Sequence, residues 1–425
     1  LGNLLQDHLQ RYAEAEAAYR KAIELDEKYA WPWNGLGNLL QDHLQRYAEA
    51  EAAYRKAIEL DDNYARPWNN LGNLLQSHLQ RYAEAEAAYR KAIELDEKDA
   101  SPWNGLGNLL QTHLQRYAEA EAAYRKAIEL DEKFAWPWNN LGNLLQNHLQ
   151  RYAEAEAAYR KAIELDEKSA TPWINLGNLL LDHLQRYTDS EAAYRKAIEL
   201  DEKFASPWNN LGNLLQDHLQ RYTEAEAAYR KAIELDEKYA WSWNGLGNLL
   251  QDHLQRNAEA EAAYRKAMQL APDEPYPVAN LARLMALTKR GDEATEGYRA
   301  ALQRVEQGGS AEYANLKLQS QLWLGNRDAA QGALEELAQA AIEGDRLGFS
   351  RLVEQAGECR QIGIGLQLAE LMEGCLQAEF LKPFSLALRA AGAGGPAVFA
   401  EAPPEIALMA EEVLAGIRKY EVAAC

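Results

Sequence analysis

Ala30-Trp31-Pro32-Trp33-Asn34-Gly35-Leu36-Gly37-Asn38 opens a unit of 35 residues that closes at Asn63-Tyr64. The triplet Leu-Gly-Asn within it recurs at residues 1, 36, 71, 106, 141, 176, 211 and 246, always 35 apart. Self-similarity at a fixed period of this length marks a stacked-repeat architecture, in which each unit buries its apolar face only against its neighbours. Trp33, Leu36, Gly37, Leu40 and Leu44 follow i, i+3, i+4 spacing and predict a first helix with one apolar stripe. Pro32 suits the first helical position, where its missing N–H costs nothing. A second helix is predicted from Tyr47, with Ala50, Ala53, Tyr54, Ala57 and Ile58 on one face. Glu51, Arg55 and Glu59 lie on its other face at i, i+4 spacing, which reads as a solvated ladder of ion pairs. Small residues at Gly37, Ala50 and Ala57 let the two helices approach, while Trp33 and Tyr54 fill the gaps.

The whole chain has 425 residues, with 45 Lys and Arg against 65 Asp and Glu, a formal charge of −20. Such a surface repels phosphate backbones and argues against general nucleic-acid binding. Its 47% hydrophobic and 26% charged residues are a globular composition. No uncharged apolar run is long enough to span a membrane: the most apolar stretch, 361–380, is broken by Glu370, Glu373 and Glu379. Cys359, Cys375 and Cys425 form neither a disulfide framework nor a zinc knuckle, which fits a reducing, cytoplasmic setting. The chain opens inside a repeat, at Leu1-Gly2-Asn3, and so reads as a fragment of a longer protein.

The order Trp33-x2-Leu36-Gly37, then Tyr47, Ala50, Tyr54 and Ala57, closely resembles the tetratricopeptide repeat (TPR), over residues 1 to about 270. The resemblance implies an all-α fold, a right-handed superhelical α-solenoid of stacked helix-turn-helix repeats with a concave and a convex surface. Two departures stand out. The usual unit has 34 residues, and the additional one here falls in the turn His43-Leu44-Gln45-Arg46. The usual Pro after the second helix is replaced by acidic residues such as Glu27 and Asp62. Residues 271–425 read as a divergent helical C-terminal cap. A TPR-like unit keeps Leu281, Ala282, Ala294, Tyr298 and Ala301. Helical pairs are expected at about 311–343, divided at Gly325-Asn326, and at about 346–388, then a loop over 391–404 and a last helix near 405–420. The same segment is a candidate surface for self-association or for docking an upstream domain.

Chemistry-bearing constellations are absent from the sequence. All eight histidines sit in one column at 35-residue spacing, too far apart to share a metal, and read as turn packing. There is no phosphate loop, and the Gly363-x-Gly365 pair lacks its third glycine. The chain reads as a non-enzyme with no cofactor and no metal site.

Comparing the units with one another locates a candidate recognition surface. The Glu51 and Arg55 columns are identical in every copy, whereas three others vary. One reads Trp31, Arg66, Ser101, Trp136, Thr171, Ser206, Trp241; another Tyr29, Tyr64, Asp99, Phe134, Ser169, Phe204, Tyr239. The third reads Asp7, Asp42, Ser77, Thr112, Asn147, Asp182, Asp217, Asp252. By the TPR resemblance these positions line the concave groove. One unit adds an apolar pair on one helix face, Ile174 and Leu181, in place of Asn and Gln. The rest of the expected groove is rich in amides. One column holds Asn34, Asn69, Asn104, Asn139, Asn209 and Asn244; the next holds Asn38, Asn73, Asn108, Asn143, Asn178, Asn213 and Asn248. Side-chain amides pair with peptide groups through a donor and an acceptor, so the rows are candidates to hold an extended peptide. They resemble the asparagine ladder in the TPR arm of the O-linked N-acetylglucosamine transferases. Bonding between units is the alternative use of the same amides. The regular Lys and Arg of TPR carboxylate clamps are missing, which argues against a C-terminal carboxylate as the main ligand. Near-identical repeats with varied groove columns also resemble the sensor arrays of bacterial conflict systems, including NLR-like STAND NTPases that detect phage proteins. The expected function is recognition of a protein or extended peptide, as the sensor of a larger signalling or defence protein. A scaffold or oligomerisation rod, and the substrate-presenting arm of an enzyme, are the alternatives.

Overall fold

Each 35-residue repeat folds as a thirteen-residue helix, exemplified by Ala30–Asp42, followed by a fourteen-residue helix, Tyr47–Leu60. The computed structural model describes residues 1–308 and 313–342, with single buried helical positions at Leu368, Met372, Leu388, Ala410 and Val413. No strand occurs among the described residues. The chain divides into two compact units, Leu1–Asp201 and Glu202–Cys425. In the first, a π-helical turn at Leu4–His8 and the helix Tyr12–Leu25 precede five helix pairs that end at Leu200. In the second, two regular pairs run from Ala205 to Leu270, followed by Pro275–Leu287 with Gly291–Gly308 and by Ala314–Trp323 with Arg327–Ile342. The break at Gly325-Asn326 lies where the sequence places it, with Gly325 at φ +76°. The helices expected at 346–388 and 405–420, the loop at 391–404, the three cysteines and the Gly363-x-Gly365 pair lie outside the described residues, apart from the five positions named above.

Within a repeat the second helix lies along the first, and inside each unit a second helix also packs on the first helix of the next repeat. Leu36, Leu40, Ala50, Ala53, Tyr54 and Ala57 are buried as the spacing predicts. Leu39 is fully buried as well, because the first helix is covered on two sides and its apolar surface is wider than one stripe. Pro32 is the third helical residue, not the first. It is tolerated there because the amides of the first turn have no intrahelical acceptor.

The additional residue of the 35-residue unit sits in the turn between the helices. Arg46 N–H reaches back to Leu40 C=O at 2.9 Å, and Gln45 takes the left-handed conformation at φ +53°. Every regular repeat does the same at Gln10, Gln80, Gln115, Gln150, Gln185, Gln220 and Gln255. In the pair Pro275–Leu287 and Gly291–Gly308 the turn is one residue shorter, and Arg290 N–H bonds Met285 C=O instead. The acidic residues after the second helix do local work too: Asp26 Oδ1 accepts the Lys28 backbone N–H at 3.1 Å, and Asp61, Asp96 and Asp131 repeat the bond.

Charged and aromatic side chains join successive repeats. Arg46 grips Glu49 of its own helix with two N–H groups at 2.6 and 2.7 Å and donates a third to Glu16 of the preceding repeat at 2.8 Å. Glu16 also accepts from Arg20, so four residues form one cluster at the junction. The cluster recurs as Arg81 with Glu51, Arg55 and Glu84, and as Arg116 with Glu86, Arg90 and Glu119. The expected i, i+4 ladder is therefore a network between repeats, and Glu59 pairs with Lys56 at 2.7 Å rather than with Arg55. The histidine column packs at the turns: His43 stacks on Tyr12, and His78 on Tyr47, with ring centroids 4.3 and 4.1 Å apart. Where the tyrosine is lost, at Asn257, the next repeat carries Thr288 in place of histidine.

Two outcomes follow for stability. A left-handed non-glycine residue is disfavoured by its Cβ, so Gln80→Gly should stabilise the chain by about 1 kcal/mol in urea denaturation. A loss of stability would show that the Gln80 side chain contributes more than its backbone strain removes. In the networks, burial pushes the Glu121 carboxyl up, but hydrogen bonds from Arg125 and Arg151 and their charges outweigh it and leave it below its ordinary 4.5. A depressed folded-state value contributes stability that is complete above the unfolded value and lost as pH falls through the folded one. Melting temperature should therefore drop on acidification below about pH 4.5. Glu121→Gln should lower it at neutral pH and meet the wild-type curve once the carboxylates are protonated. Parallel curves would contradict this.

Candidate recognition surface

The first helices carry the amide columns and the columns of Trp31 and Asp42, the Tyr29 column lies just before them, and the buried tyrosine of each regular repeat holds the second amide column inward. Tyr54 is 1% exposed, and its ring lies so close to Gly37 that a Cβ there would stand 2.5 Å from Cε1. Its hydroxyl donates towards Asn38 Oδ1 and Gln41 Oε1, at 2.9 and 3.2 Å. The same hydroxyl-to-amide bond ties Tyr89 to Asn73, Tyr159 to Asn143 and Tyr194 to Asn178, each at 2.7 Å. In the second unit it ties Tyr229 to Asn213 at 2.7 Å and Tyr264 to Asn248 at 2.9 Å. Asn108 accepts from Gln76 Nε2 at 2.6 Å and also hydrogen-bonds Tyr124, whose hydroxyl donates to Gln111 Oε1 at 2.9 Å. The second amide column is thus committed inside the array.

Most of the first amide column is committed too, across repeat junctions. Asn70 Nδ2 donates to Asn34 Oδ1 at 3.0 Å and to Asn38 Oδ1 at 2.9 Å. Asn140 donates to Asn104 at 3.1 Å, Asn175 to Asn139 at 2.9 Å, and Asn280 to Asn244 at 3.0 Å. Asn34, Asn139, Asn209 and Asn244 are buried. The donor stands one position after the column residue, where some repeats carry Gly35, Gly105 or Gly245 instead of Asn. At Gly245 the loss is made good: Ser242, in the place other repeats give to proline, donates its hydroxyl to Asn209 at 3.2 Å. At Gly105 nothing replaces it, and the buried Asn69 Oδ1 has no partner. Sequence comparison gave no weight to this glycine–asparagine alternation, the signal that separates Asn69 from its column.

The varied columns lie at the surface. Trp31, Trp136 and Trp241 are 40%, 53% and 45% exposed, and Arg66 and Ser101 are exposed beside them. The column of Tyr29 and Tyr64 supplies the residue that precedes each first helix, where only Asp99 caps with its side chain, accepting the Ser101 N–H at 2.9 Å. Asp42, Ser77, Thr112 and Asn147, at the far end of these helices, are exposed. Desolvation raises the Asp42 carboxyl, opposed by the charge of His43 and by the Gln41 amide. Desolvation likewise pushes Asp217 up to about 6, with the Gln216 N–H opposing and the charge of Asp252 adding. Asp252 pairs with the buried Arg283 at 2.7 Å. Of the apolar pair, Ile174 is 7% exposed and packs inside the stack, while Leu181 is half-buried. The two therefore do not make an open apolar spot.

The invariant outer columns have their own explanation. Glu51 and Arg55 belong to the junction networks, so a change at either breaks contacts to two helices. Their constancy reflects packing between repeats and says nothing about a ligand on the other face. Among the described residues no group of histidine, cysteine or acidic side chains is placed to hold a metal ion, and no helix is long and apolar enough to cross a membrane.

Profiles described as tetratricopeptide repeat match residues 29–98, 140–204, 193–227 and 242–274. One described as TPR repeat matches 8–43, 112–148 and 219–253. No curated protein matches the chain. Among solved structures, YrrB, described as a TPR protein with an unusual peptide-binding site, aligns at 25% identity over 45% of this chain and 97% of its own, with a TM-score of 0.36. PilF of Pseudomonas aeruginosa aligns at 22% identity over 50% of this chain and 93% of its own, TM-score 0.44, and MamA at 21% over 39% and 94%, TM-score 0.35. The period, the helix pairs and the profiles spanning residues 8–98 and 112–274 place the chain in the tetratricopeptide repeat family.

Proposed function

We propose that this chain is a non-catalytic recognition module that binds a protein or extended peptide on the exposed faces of its first helices. The observation that carries the reading is the placement of the varied columns. Trp31, Arg66, Ser101 and Trp136 are exposed on successive repeats, although Trp31 also lies against Tyr19 of the preceding repeat. Large exposed aromatics are favoured as binding anchors because they bury much surface with few rotors to freeze. The amide rows support the surface from beneath, since most of their groups are already bonded to the array.

The wider setting belongs to the same proposal. Repeats that differ chiefly in exposed first-helix columns suit the ligand-sensing part of a larger cytoplasmic signalling or defence protein, in the manner of the NLR-like STAND sensors. A scaffold would leave the identity of those side chains free, and a substrate-presenting arm would use them for a neighbouring catalytic domain.

The test is selection from a phage library of random linear peptides against the full chain. Wild type should enrich binders, Trp31→Ala with Trp136→Ala should lose them, and Lys56→Ala with Lys91→Ala on the outer helices should keep them. Binders lost only with the outer substitutions would move recognition to the other face. Unaltered binding by both variants would remove the first-helix aromatics from it.

A further inference from the structure

In the first unit two adjoining cavities, of about 340 and 590 Å³, share Tyr64, Arg66, Asp99 and Ser101 in their walls. The smaller also reaches Trp31 and Asn69. Two of these side chains are uncommitted. Asn69 Oδ1 has no partner because Gly105 stands where the next repeat would carry the donor asparagine. Arg66 is exposed and makes no hydrogen bond or ion pair among the described residues, in contrast to Arg46, Arg81 and Arg116, each held by two carboxylates. Asp99 lies in the same walls and caps the following helix by accepting the Ser101 N–H at Oδ1, and it makes no ion pair with Arg66 among the described residues. The neighbouring repeats offer Trp or Ser where Arg66 stands, and their Asn34 and Asn104 accept bonds from the next repeat.

The chemistry of the pair defines what it takes. A free side-chain amide is satisfied by a peptide group, which offers both an acceptor and a donor. A guanidinium with open N–H groups is matched by a carboxylate, which accepts two parallel bonds. We propose that this cavity is a specificity subsite for an Asp or Glu side chain within an extended peptide: Arg66 takes the carboxylate, Asn69 Nδ2 donates to the adjoining peptide C=O, and Trp31 and Tyr64 flank the neighbouring residues. The inference rests on the recognition reading above and narrows it to one acidic position.

The experiment uses the full chain and the same library of random linear peptides. Wild type should enrich sequences with Asp or Glu at one fixed position. Replacing that residue by its amide in a synthetic peptide should weaken binding roughly 10-fold, the scale of a charge-assisted bond. Arg66→Glu should change the preference at that position to Lys or Arg without lowering the melting temperature, because Arg66 bonds nothing in the array. Asn69→Ala should weaken every selected peptide, preserve the acidic preference and leave stability unchanged. Enriched peptides with no acidic preference, or an Arg66→Glu variant selecting the wild-type consensus, would overturn the subsite while leaving peptide recognition intact. Failure of wild type to enrich any peptide would overturn the recognition reading and the subsite with it.

Discussion

A buried tyrosine in every regular repeat sets the terms for the rest of the structure. Its ring fits only against a glycine on the first helix, since a Cβ at Gly37 would penetrate it. Its hydroxyl, taken out of water, requires an acceptor, because a buried polar group left unbonded costs about 1–3 kcal/mol. Asn38 and Gln41 supply it. One residue type thereby dictates the Gly column, the second Asn column and the Gln column of the opposing helix. What looks on paper like a ligand-facing amide row is largely the polar lining of a core.

The same logic separates the two outer surfaces. On the second helices, Arg side chains link repeats through shared carboxylates, with Asp189 replacing Glu as the partner of Arg186 in one copy. On the first helices, most positions at either end of the amide rows are exposed, with Asp252, which pairs with the buried Arg283, as an exception. Differences between repeats at Trp31, Arg66, Ser101 and Trp136 can persist without harm to the fold, which is the condition for a surface that adapts to a partner.

The helix pairs, the turn that holds the additional residue and the packing role of the histidines were legible in the sequence, because strict repetition turns each into a column with one physical reading, whereas the first helix starts two residues before Pro32 and ends before Leu44. The direction of a polar side chain was not. Asn34 and Asn69 occupy the same column, yet one is bonded and the other is free, and the difference lies at Asn70 and Gly105 in the repeats that follow. Ile174 misled for a related reason: spacing placed it on a face with Leu181, while burial depends on how closely the adjoining helices approach. The constancy of Glu51 and Arg55 carried no functional information, because its cause is a bond to the next repeat that only three dimensions show.

A double-mutant cycle between Tyr159 and Asn143, with Tyr159→Phe and Asn143→Ala measured singly and together by urea denaturation, tests most directly whether the amide rows belong to the interior. Each single change should destabilise the chain and the pair should couple by about 1 kcal/mol, since either change alone leaves its partner unbonded. An Asn143→Ala variant as stable as wild type, with no coupling to Tyr159, would contradict this and return the asparagines to the binding surface.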